Sequence, residues 1–190
     1  TGVQRVLFRS VGFAAWPFLS TWKPSAKAKA AGAPIDVDIS KLESGQLVRV
    51  LWRKKPVWIF KRDEKALESL DSEDLIKNLD DPDGTGNSKN QQPNYVTSNF
   101  RTIKNKESIA VIVGVCTHLG CSPTYRPEPG AADLGGDSWK CGFYCPCHGS
   151  KFDLAGRVYA GVPAPTNLAI PPYQYVTDSL IRIGVDQQKT

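Results

Sequence analysis

The sequence predicts a mainly β, loop-rich domain that follows a short apolar segment and a linker. Its 190 residues are enough for one domain with a substantial core. The chain contains 14 prolines and 16 glycines, which separate several apolar runs of strand length. Hydrophobic residues make up 41% of the chain and charged residues 23%, which is the balance of an ordinary folded protein.

The net charge of +5 suits a basic anchor or tether as well as it suits nucleic-acid binding. Because no dense lysine and arginine run alternates with aromatic residues, we expect no nucleic-acid partner. The chain contains no methionine and begins at Thr1, so we expect a fragment, a processed form or an edited sequence. The stretch Thr1–Ser10 matches the neighbouring sequence poorly and is excluded from the fold prediction as a segment of doubtful origin.

An uncharged run of 13 residues extends from Ser10 to Trp22. A membrane-spanning helix needs about 20 residues, so this run alone is too short. A buried segment, the end of a signal peptide and the C-terminal half of a truncated transmembrane helix are the alternatives. We expect the truncated anchor, over residues 1–22, because Trp16 and Trp22 suit the membrane interface. The following Lys23–Pro34, rich in alanine and lysine, is predicted to be a flexible tether.

Strand signals begin at Ile35, and five apolar runs follow. These runs are Leu47–Trp52, Pro56–Phe60, Ser108–Cys116, Tyr173–Val176 and Leu180–Val185. The first two flank Arg53–Lys55 and the last two flank Thr177–Ser179, so each pair predicts a hairpin. Leucine and isoleucine recur at helical spacing over Asp63–Leu79, with a break expected at Asp71 and Ser72. Asp80–Gln92 is predicted to be a loop.

Two segments carry the chemistry, CTHLGC at Cys116–Cys121 and CPCHGS at Cys145–Ser150. Together they contain four of the five cysteines and both histidines of the chain. Cysteine and histidine in such a cluster indicate a metal site. Two disulfides with incidental histidines, a structural zinc site and a cysteine–histidine nucleophile pair are the alternatives.

Zinc sites usually combine C-x₂₋₄-C with H-x₃₋₅-H or with a second C-x₂-C. Here each segment offers one cysteine, one histidine and one additional cysteine, which suits a two-iron centre with different ligands on each iron. A nucleophile pair would not explain the duplication. Spacing alone does not decide which cysteine of each segment is the ligand.

The two segments resemble the cluster-binding boxes of bacterial Rieske proteins of the cytochrome bc1 type. The similarity extends from about Ile35 to the end and includes GVPAP at Gly161–Pro165. It implies a mainly β fold, an antiparallel β-sandwich Rieske domain over residues 35–190. A small cluster-binding subdomain, about Val113–Pro165, would be inserted in this domain.

The resemblance implies one [2Fe–2S] cluster per chain, with Cys116 and Cys145 on one iron and His118 and His148 on the other. It also implies a disulfide between Cys121 and Cys147, which Rieske oxygenase ferredoxins generally lack and which places the domain in an oxidising compartment. The remaining cysteine, Cys141, is expected to be a free and at least partly buried thiol, with pairing to another chain as the alternative.

The resemblance also assigns residues around the cluster, which are Ser150, Phe152, Leu119, Gly120 and Pro163. The Ser150 hydroxyl corresponds to one that bonds a bridging sulfide. Many relatives carry a tyrosine at the position of Phe152, and its hydroxyl bonds a ligand cysteine, so we expect a lower potential here. Leu119 and Gly120 would form an apolar tip for cytochrome b, and Pro163 belongs to a segment that covers the cluster.

The function implied is that of the iron–sulfur subunit of ubiquinol–cytochrome c reductase (complex III), a translocase of the respiratory chain. It would accept one electron from ubiquinol at cytochrome b, with proton release through the quinol-facing His148, and swing on its tether to cytochrome c1. The expected location is the inner membrane, single-pass, with the domain on the periplasmic side of a dimeric complex. A soluble Rieske ferredoxin and a zinc-binding interaction module are the alternatives.

Overall fold

The computed structural model describes residues 2–23, 25, 32–84, 91–96 and 98–186. Within these ranges, side chains are described from residue 11 onward, except that of residue 12. The chain separates into two compact units, Thr1–Ala33 and Pro34–Thr190. Residues 24 and 26–31 of the predicted tether, and residues 85–90 of the predicted Asp80–Gln92 loop, lie outside the described residues.

The first unit contains a helix, α1, over Gly2–Thr21 with Pro17 inside it. Its last turn is closed by hydroxyl groups, since Ser20 Oγ donates to the Pro17 carbonyl at 2.8 Å and Thr21 Oγ1 to the Phe18 carbonyl at 2.6 Å. Within the part of the chain that the structure describes, no helix has both the length and the apolar character that crossing a bilayer requires. The predicted anchor is therefore not confirmed by this helix.

Strands of the second unit form three antiparallel sheets of three strands each among the described residues. Sheet 1 contains β1 (Ile35–Asp38), β9 (Leu180–Ile183) and β8 (Tyr173–Thr177), in that order. Sheet 2 contains β2 (Leu47–Trp52), β3 (Lys55–Lys61) and β4 (Ile109–Val113). Sheet 3 contains β5 (Thr124–Arg126), β6 (Gly142–Tyr144) and β7 (Lys151–Phe152).

Sheet 2 is the middle layer, because its side chains alternate between two cores. Val57 and Ile59 of β3 join the core that sheet 1 completes with residues such as Ile181. Trp58 and Phe60 point the other way and join the core that contains Phe143 of sheet 3. A strand buried on both faces needs apolar residues at every position, which explains the unbroken IAVIV sequence of β4.

The secondary structure confirms most of the element predictions. The two predicted hairpins form, although Lys55 belongs to β3, so the first turn is only Arg53-Lys54. The predicted helix is broken where expected, into α2 (Glu64–Leu70) and α3 (Glu73–Ile76).

Each of the two helices begins at a side-chain cap, and the cap of the second helix causes the break. Asp63 accepts a hydrogen bond from the Ala66 amide at 2.8 Å, and Ser72 accepts one from the Leu75 amide at 3.4 Å. A serine that caps a new helix start has extended backbone geometry, so α2 cannot continue through it.

Sheet 3 lies in the sequence between β4 of sheet 2 and β8 of sheet 1, so it is an insertion in the sandwich of sheets 1 and 2. The connection from β5 to β6 carries two 3₁₀ turns, Ala132–Leu134 and Gly136–Ser138. The mainly β, antiparallel prediction is confirmed. Each motif segment follows a strand, the first after β4 and the second after β6, and this order positions the candidate site.

Candidate metal centre

The two motif segments form loops with the same backbone hydrogen bonds. In the first loop, the Cys116 amide donates to the Cys121 carbonyl at 2.7 Å and the Gly120 amide to the Cys116 carbonyl at 3.0 Å. In the second, the Cys145 amide donates to the Ser150 carbonyl at 2.8 Å and the Gly149 amide to the Cys145 carbonyl at 3.0 Å. Cys116 and Cys145 therefore occupy equivalent first positions of two similar loops.

The four motif cysteines divide into two kinds. Cys121 and Cys147 form a disulfide, with an S–S distance of 2.13 Å, that joins the loops. Cys116 and Cys145 remain free thiols and are only 3% and 1% exposed. Burial, reinforced by the neighbouring Cys116 thiol, raises the pKa of Cys145. A thiol in such a place is protonated until a metal ion replaces its proton.

The Sγ atoms of Cys121, Cys145 and Cys147 lie within 4.8 Å of one another. Because Cys121 and Cys147 are bonded to each other, neither offers a thiolate, and Cys145 is the free sulfur of this group. Cys116 and Cys145, the two free thiols at equivalent loop positions, are therefore better candidates for iron ligands than the group of Cys121, Cys145 and Cys147, because a thiolate is the form that binds a metal.

The two histidines lie against each other, with ring centroids 4.8 Å apart and ring planes at 87°. Nδ1 of His118 is buried and has no hydrogen-bond partner among the residues that the structure describes. The His148 side chain is exposed. A buried polar atom without a partner destabilises a protein, so the His118 nitrogen fits a position that a metal ion fills.

A third segment, Gly161–Pro165, is hydrogen-bonded to the second loop, and Thr166, which follows it, is hydrogen-bonded to the first. Thr117 Oγ1 in the first loop donates to the Thr166 carbonyl at 2.6 Å. Ser150 in the second loop is fully buried, and its Oγ accepts a hydrogen bond from the Ala164 amide at 3.1 Å. Because Oγ is the acceptor there, the hydroxyl proton of Ser150 is still available to another acceptor.

The other residues predicted around the site divide between surface and core. Leu119 is 70% exposed, and Gly120 and Pro163 are also exposed. Phe152 is fully buried in β7, directly opposite Phe143 of β6. Phe143 in turn stacks on Trp58 with centroids 4.8 Å apart, so aromatic side chains form the floor beneath the second loop.

The sequence analysis missed two features that support the loops. The first is the Thr117 hydrogen bond, which no sequence signal distinguishes from a solvated threonine. The second is a buried ion pair just after the second loop, in which Arg157 Nε donates to Asp153 Oδ2 at 2.6 Å. Opposite charges four residues apart in an otherwise apolar stretch were a usable signal for this pair.

Cys141 lies directly before β6, the central strand of sheet 3, as a half-buried free thiol. Burial raises its pKa to about 12. It is separate in function from the motif cysteines, because a thiol that resists ionisation is a poor metal ligand and a poor nucleophile.

The site as a whole offers two free buried thiols, two imidazoles and one buried hydroxyl. Thiolate sulfur and imidazole nitrogen in equal number are the ligands of a mixed-coordination [2Fe–2S] centre. The unpartnered His118 nitrogen and the protonated Cys145 thiol are the features that such a group would satisfy.

Comparisons with known proteins identify the kind of domain to which this site belongs. The family model of the Rieske [2Fe-2S] domain matches residues 83–173, which contain both loops and the third segment. The ubiquinol-cytochrome c reductase iron-sulfur subunit of Allochromatium vinosum is 54% identical over 176 residues, which cover 93% of this chain and 81% of that protein. The protein of the same name from Blastochloris viridis is 42% identical over 174 residues, covering 92% and 83%.

Solved structures also match. A chain of a hyperthermophilic respiratory Complex III aligns with a TM-score of 0.49 and 24% identity, over 94% of this chain and 96% of that one.

Proposed function

The chain belongs to the family of ubiquinol-cytochrome c reductase iron–sulfur subunits, and on that premise we propose that it passes single electrons from ubiquinol, bound with cytochrome b, to cytochrome c1. The observation that carries the proposal is the buried, unpartnered Nδ1 of His118, together with the free buried thiols of Cys116 and Cys145 in the two loops. As a subunit of this reductase, the chain acts within a respiratory enzyme complex, and its cofactor is the [2Fe–2S] cluster of the Rieske domain.

We assign Cys116 and Cys145 to one iron, and His118 and His148 to the other. The equivalent loop positions of the two cysteines support this assignment, as does the disulfide, which removes Cys121 and Cys147 from the set of thiolate donors. When bound, a centre with two thiolates and two imidazoles supplies a one-electron couple at roughly −150 to +300 mV, against about −400 mV for the all-cysteine plant-type ferredoxins.

Two neighbours are assigned to tuning that potential. The buried Ser150 hydroxyl, whose oxygen accepts from Ala164, keeps its proton for an acceptor at the cluster. Phe152 lies two residues further on and has no hydroxyl to donate. A donated hydrogen bond favours the more negative, reduced state, so a missing bond lowers the potential.

His148 is assigned to the proton. Because its side chain is exposed, the imidazole nitrogen that does not bind iron can meet a quinol hydroxyl, accept its proton and later release it to water. One electron and one proton would leave the quinol together at this contact. The exposed Leu119, which follows His118 in the first loop, provides an apolar contact for cytochrome b.

The membrane arrangement is part of the same proposal. We assign α1 to the C-terminal half of a single-pass inner-membrane anchor, with Lys23–Pro34 as the tether on which the domain moves. Trp16 and Trp22 support the interfacial position, since they are 62% and 83% exposed. The disulfide supports placement of the domain on the periplasmic side, in an oxidising compartment. The complex would be dimeric.

The test compares two sets of variants in the full chain, each analysed for iron, zinc and the EPR spectrum after reduction. Cys116→Ser removes a proposed ligand, and we expect loss of the iron and of the EPR signal. Cys121→Ser combined with Cys147→Ser removes only the disulfide, and we expect a signal of the same kind at lower occupancy because the loops are less constrained.

An equal loss of iron in both sets would contradict the ligand assignment. Stoichiometric zinc in place of iron in the unsubstituted chain would contradict the function itself. The midpoint potential separates the reductase subunit from a soluble Rieske ferredoxin, since a value close to those of oxygenase ferredoxins, well below the top of the Rieske range, would favour the ferredoxin.

A further inference from the structure

The turn between β2 and β3 has an unfavourable backbone for its sequence. Its two residues, Arg53 and Lys54, have φ angles of 50° and 62°. A two-residue hairpin of this type favours asparagine followed by glycine, because other side chains meet steric resistance in the left-handed region. Strain that persists in a native structure is a reason to look for a function at that position.

The hairpin is also strongly basic. Arg49, Arg53, Lys54 and Lys55 are all exposed, and none of them takes part in the ion pairs found among the described residues. From Gln46 to Arg62 the sequence contains no aspartate or glutamate. The exposed Leu51, at 69%, adds an apolar contact beside these cations. The hairpin therefore presents a positive surface that the described part of the chain does not neutralise.

The hairpin tip lies at the end of sheet 2 from which the first metal-binding loop departs. Val57 of β3 pairs with Val113 of β4, and the Gly114 amide donates to the Pro56 carbonyl at 2.8 Å. Arg53 is three residues from Pro56, and Cys116 is two residues from Gly114. With about 3.8 Å between consecutive Cα atoms and about 5 Å across the strands, the Cα atoms of Arg53 and Cys116 are at most about 24 Å apart.

That distance brings the hairpin within reach of a protein docked at the cluster loops. A typical contact patch of about 800 Å² per partner has a radius of about 16 Å, and charges act over a further Debye length of about 8 Å. We infer that the basic tip, Arg53 to Lys55, is a second docking contact that attracts an acidic surface of the protein that takes electrons from this chain.

This inference rests on the proposed function. It names an acidic protein surface and not an anionic lipid because the tip lies at the cluster end of the sheet, where the electron acceptor must bind. Electrostatic attraction of this kind raises association rates by about 10- to 1000-fold, and salt weakens it.

The experiment uses the full chain, loaded with its cluster and reduced, mixed by stopped flow with an acidic c-type cytochrome. Lys54→Glu reverses one charge at the tip. The double variant Arg53→Asn/Lys54→Gly removes two charges and also gives the turn its favoured residues. The matched control is Lys65→Glu, an exposed lysine on α2, which follows the opposite end of β3. Binding of the oxidised chain to the same cytochrome is measured in parallel.

At about 20 mM salt we expect Lys54→Glu to slow the reaction about 3- to 10-fold and to weaken binding by a similar factor, and we expect the difference to vanish near 300 mM. Lys65→Glu should leave both quantities nearly unchanged. The double variant should unfold at a higher temperature yet react more slowly, which separates the charge from the stability of the turn. Unchanged EPR spectra and potentials in all variants keep this test independent of the proposed function.

Equal rates for the tip variants and the unsubstituted chain, with intact EPR spectra, would overturn the inference. A second outcome would also overturn it. If the tip variants no longer bound phosphatidylglycerol vesicles but reacted with the cytochrome at an unchanged rate, the basic tip would be a membrane-binding surface. Loss of the EPR signal from the unsubstituted chain would instead contradict the proposed function.

Discussion

At the scale of single residues, we expect the absence of a hydroxyl group on Phe152 to lower the redox potential of the cluster. Its ring is fully buried against Phe143 beneath the second loop, so it supports the fold as well as a tyrosine would. The side chain lacks only the hydroxyl group of a tyrosine, which we propose would donate a hydrogen bond to a cysteine of the cluster. The predicted consequence is thus electrochemical and not structural.

We expect Phe152→Tyr to raise the midpoint potential by about 60 mV, which corresponds to a hydrogen bond worth about 1.4 kcal/mol in a one-electron couple. A redox titration followed by EPR gives the value. Phe152→Leu, which adds no donor, is the control and should produce no rise. A potential for Phe152→Tyr equal to that of the unsubstituted chain would reject the hydrogen-bond explanation.

Cys141 shows the opposite case, a reactive group that its surroundings make inert. Burial raises its pKa to about 12, so the thiol remains protonated in the folded state where the unfolded chain would lose the proton. Retaining the neutral thiol stabilises the folded protein fully below pH 9, and this contribution is lost as the pH rises through 12.

At pH 8.5 we expect the native Cys141 thiol to react with iodoacetamide far more slowly than the same thiol in denatured protein, because its thiolate fraction is about a thousandfold smaller. Peptide mass spectrometry at a series of times measures the rate at this position. The rate should continue to rise with pH beyond 9. Complete native labelling at the rate of the denatured chain would contradict the burial argument.

At the scale of secondary-structure elements, the close approach of β4 to β3 depends on one position. A Cβ atom added at Gly114 would overlap with the indole ring of Trp58. Trp58 is 1% exposed and stacks on Phe143, so the ring cannot move away without disturbing sheet 3. The absence of a side chain at Gly114 thus allows the backbone just before the first loop to lie against the Trp58 ring.

We expect Gly114→Ala to lower the free energy of unfolding by about 1–3 kcal/mol, because a methyl group is added to a filled core. Urea denaturation provides the measurement. In a Trp58→Phe background, where the ring is smaller, the same substitution should cost less, and the double-mutant cycle should show a coupling between the two positions. Additive effects would show that the overlap is relieved elsewhere.

At the scale of the whole molecule, three buried arginines bond to connecting segments that are distant in the sequence. Arg62 donates to the Phe100 carbonyl and Arg101 donates to the Leu168 carbonyl, at 3.0 and 2.8 Å. Burial lowers the pKa of both guanidinium groups to about 10, which leaves them charged at neutral pH. Asp153 is the buried carboxylate that pairs with the third, Arg157, within the described residues.

Asp153→Asn should therefore destabilise the fold by about 3–5 kcal/mol, since it leaves a buried cation without its counter-ion. The amide has nearly the same shape, so packing is unchanged and chemical denaturation reports the loss of charge. Asp133→Asn, which removes one of the two exposed partners of Arg126, is the control and should leave the denaturation midpoint almost unchanged. Similar midpoints for the two variants would contradict the role assigned to Asp153.

Much of the fold was predictable because its signals are local. The two hairpins follow from apolar runs around short polar turns, and the break between α2 and α3 follows from a capping serine. The strands of sheet 3 were not predicted. β6 and β7 are only three and two residues long, and such short strands exist because Phe143 and Phe152 pack into a shared core.

The sequence alone determined the chemical nature of the site, because the residue types in the two motif segments restrict it to sulfur and nitrogen donors. It was the tertiary structure that decided which donors are protonated, buried or exposed. Cys116 and Cys145 are 29 positions apart, and they become equivalent, buried partners only when sheet 3 packs against sheet 2. The buried arginines were likewise not predictable, since their partners are backbone carbonyls brought close by folding.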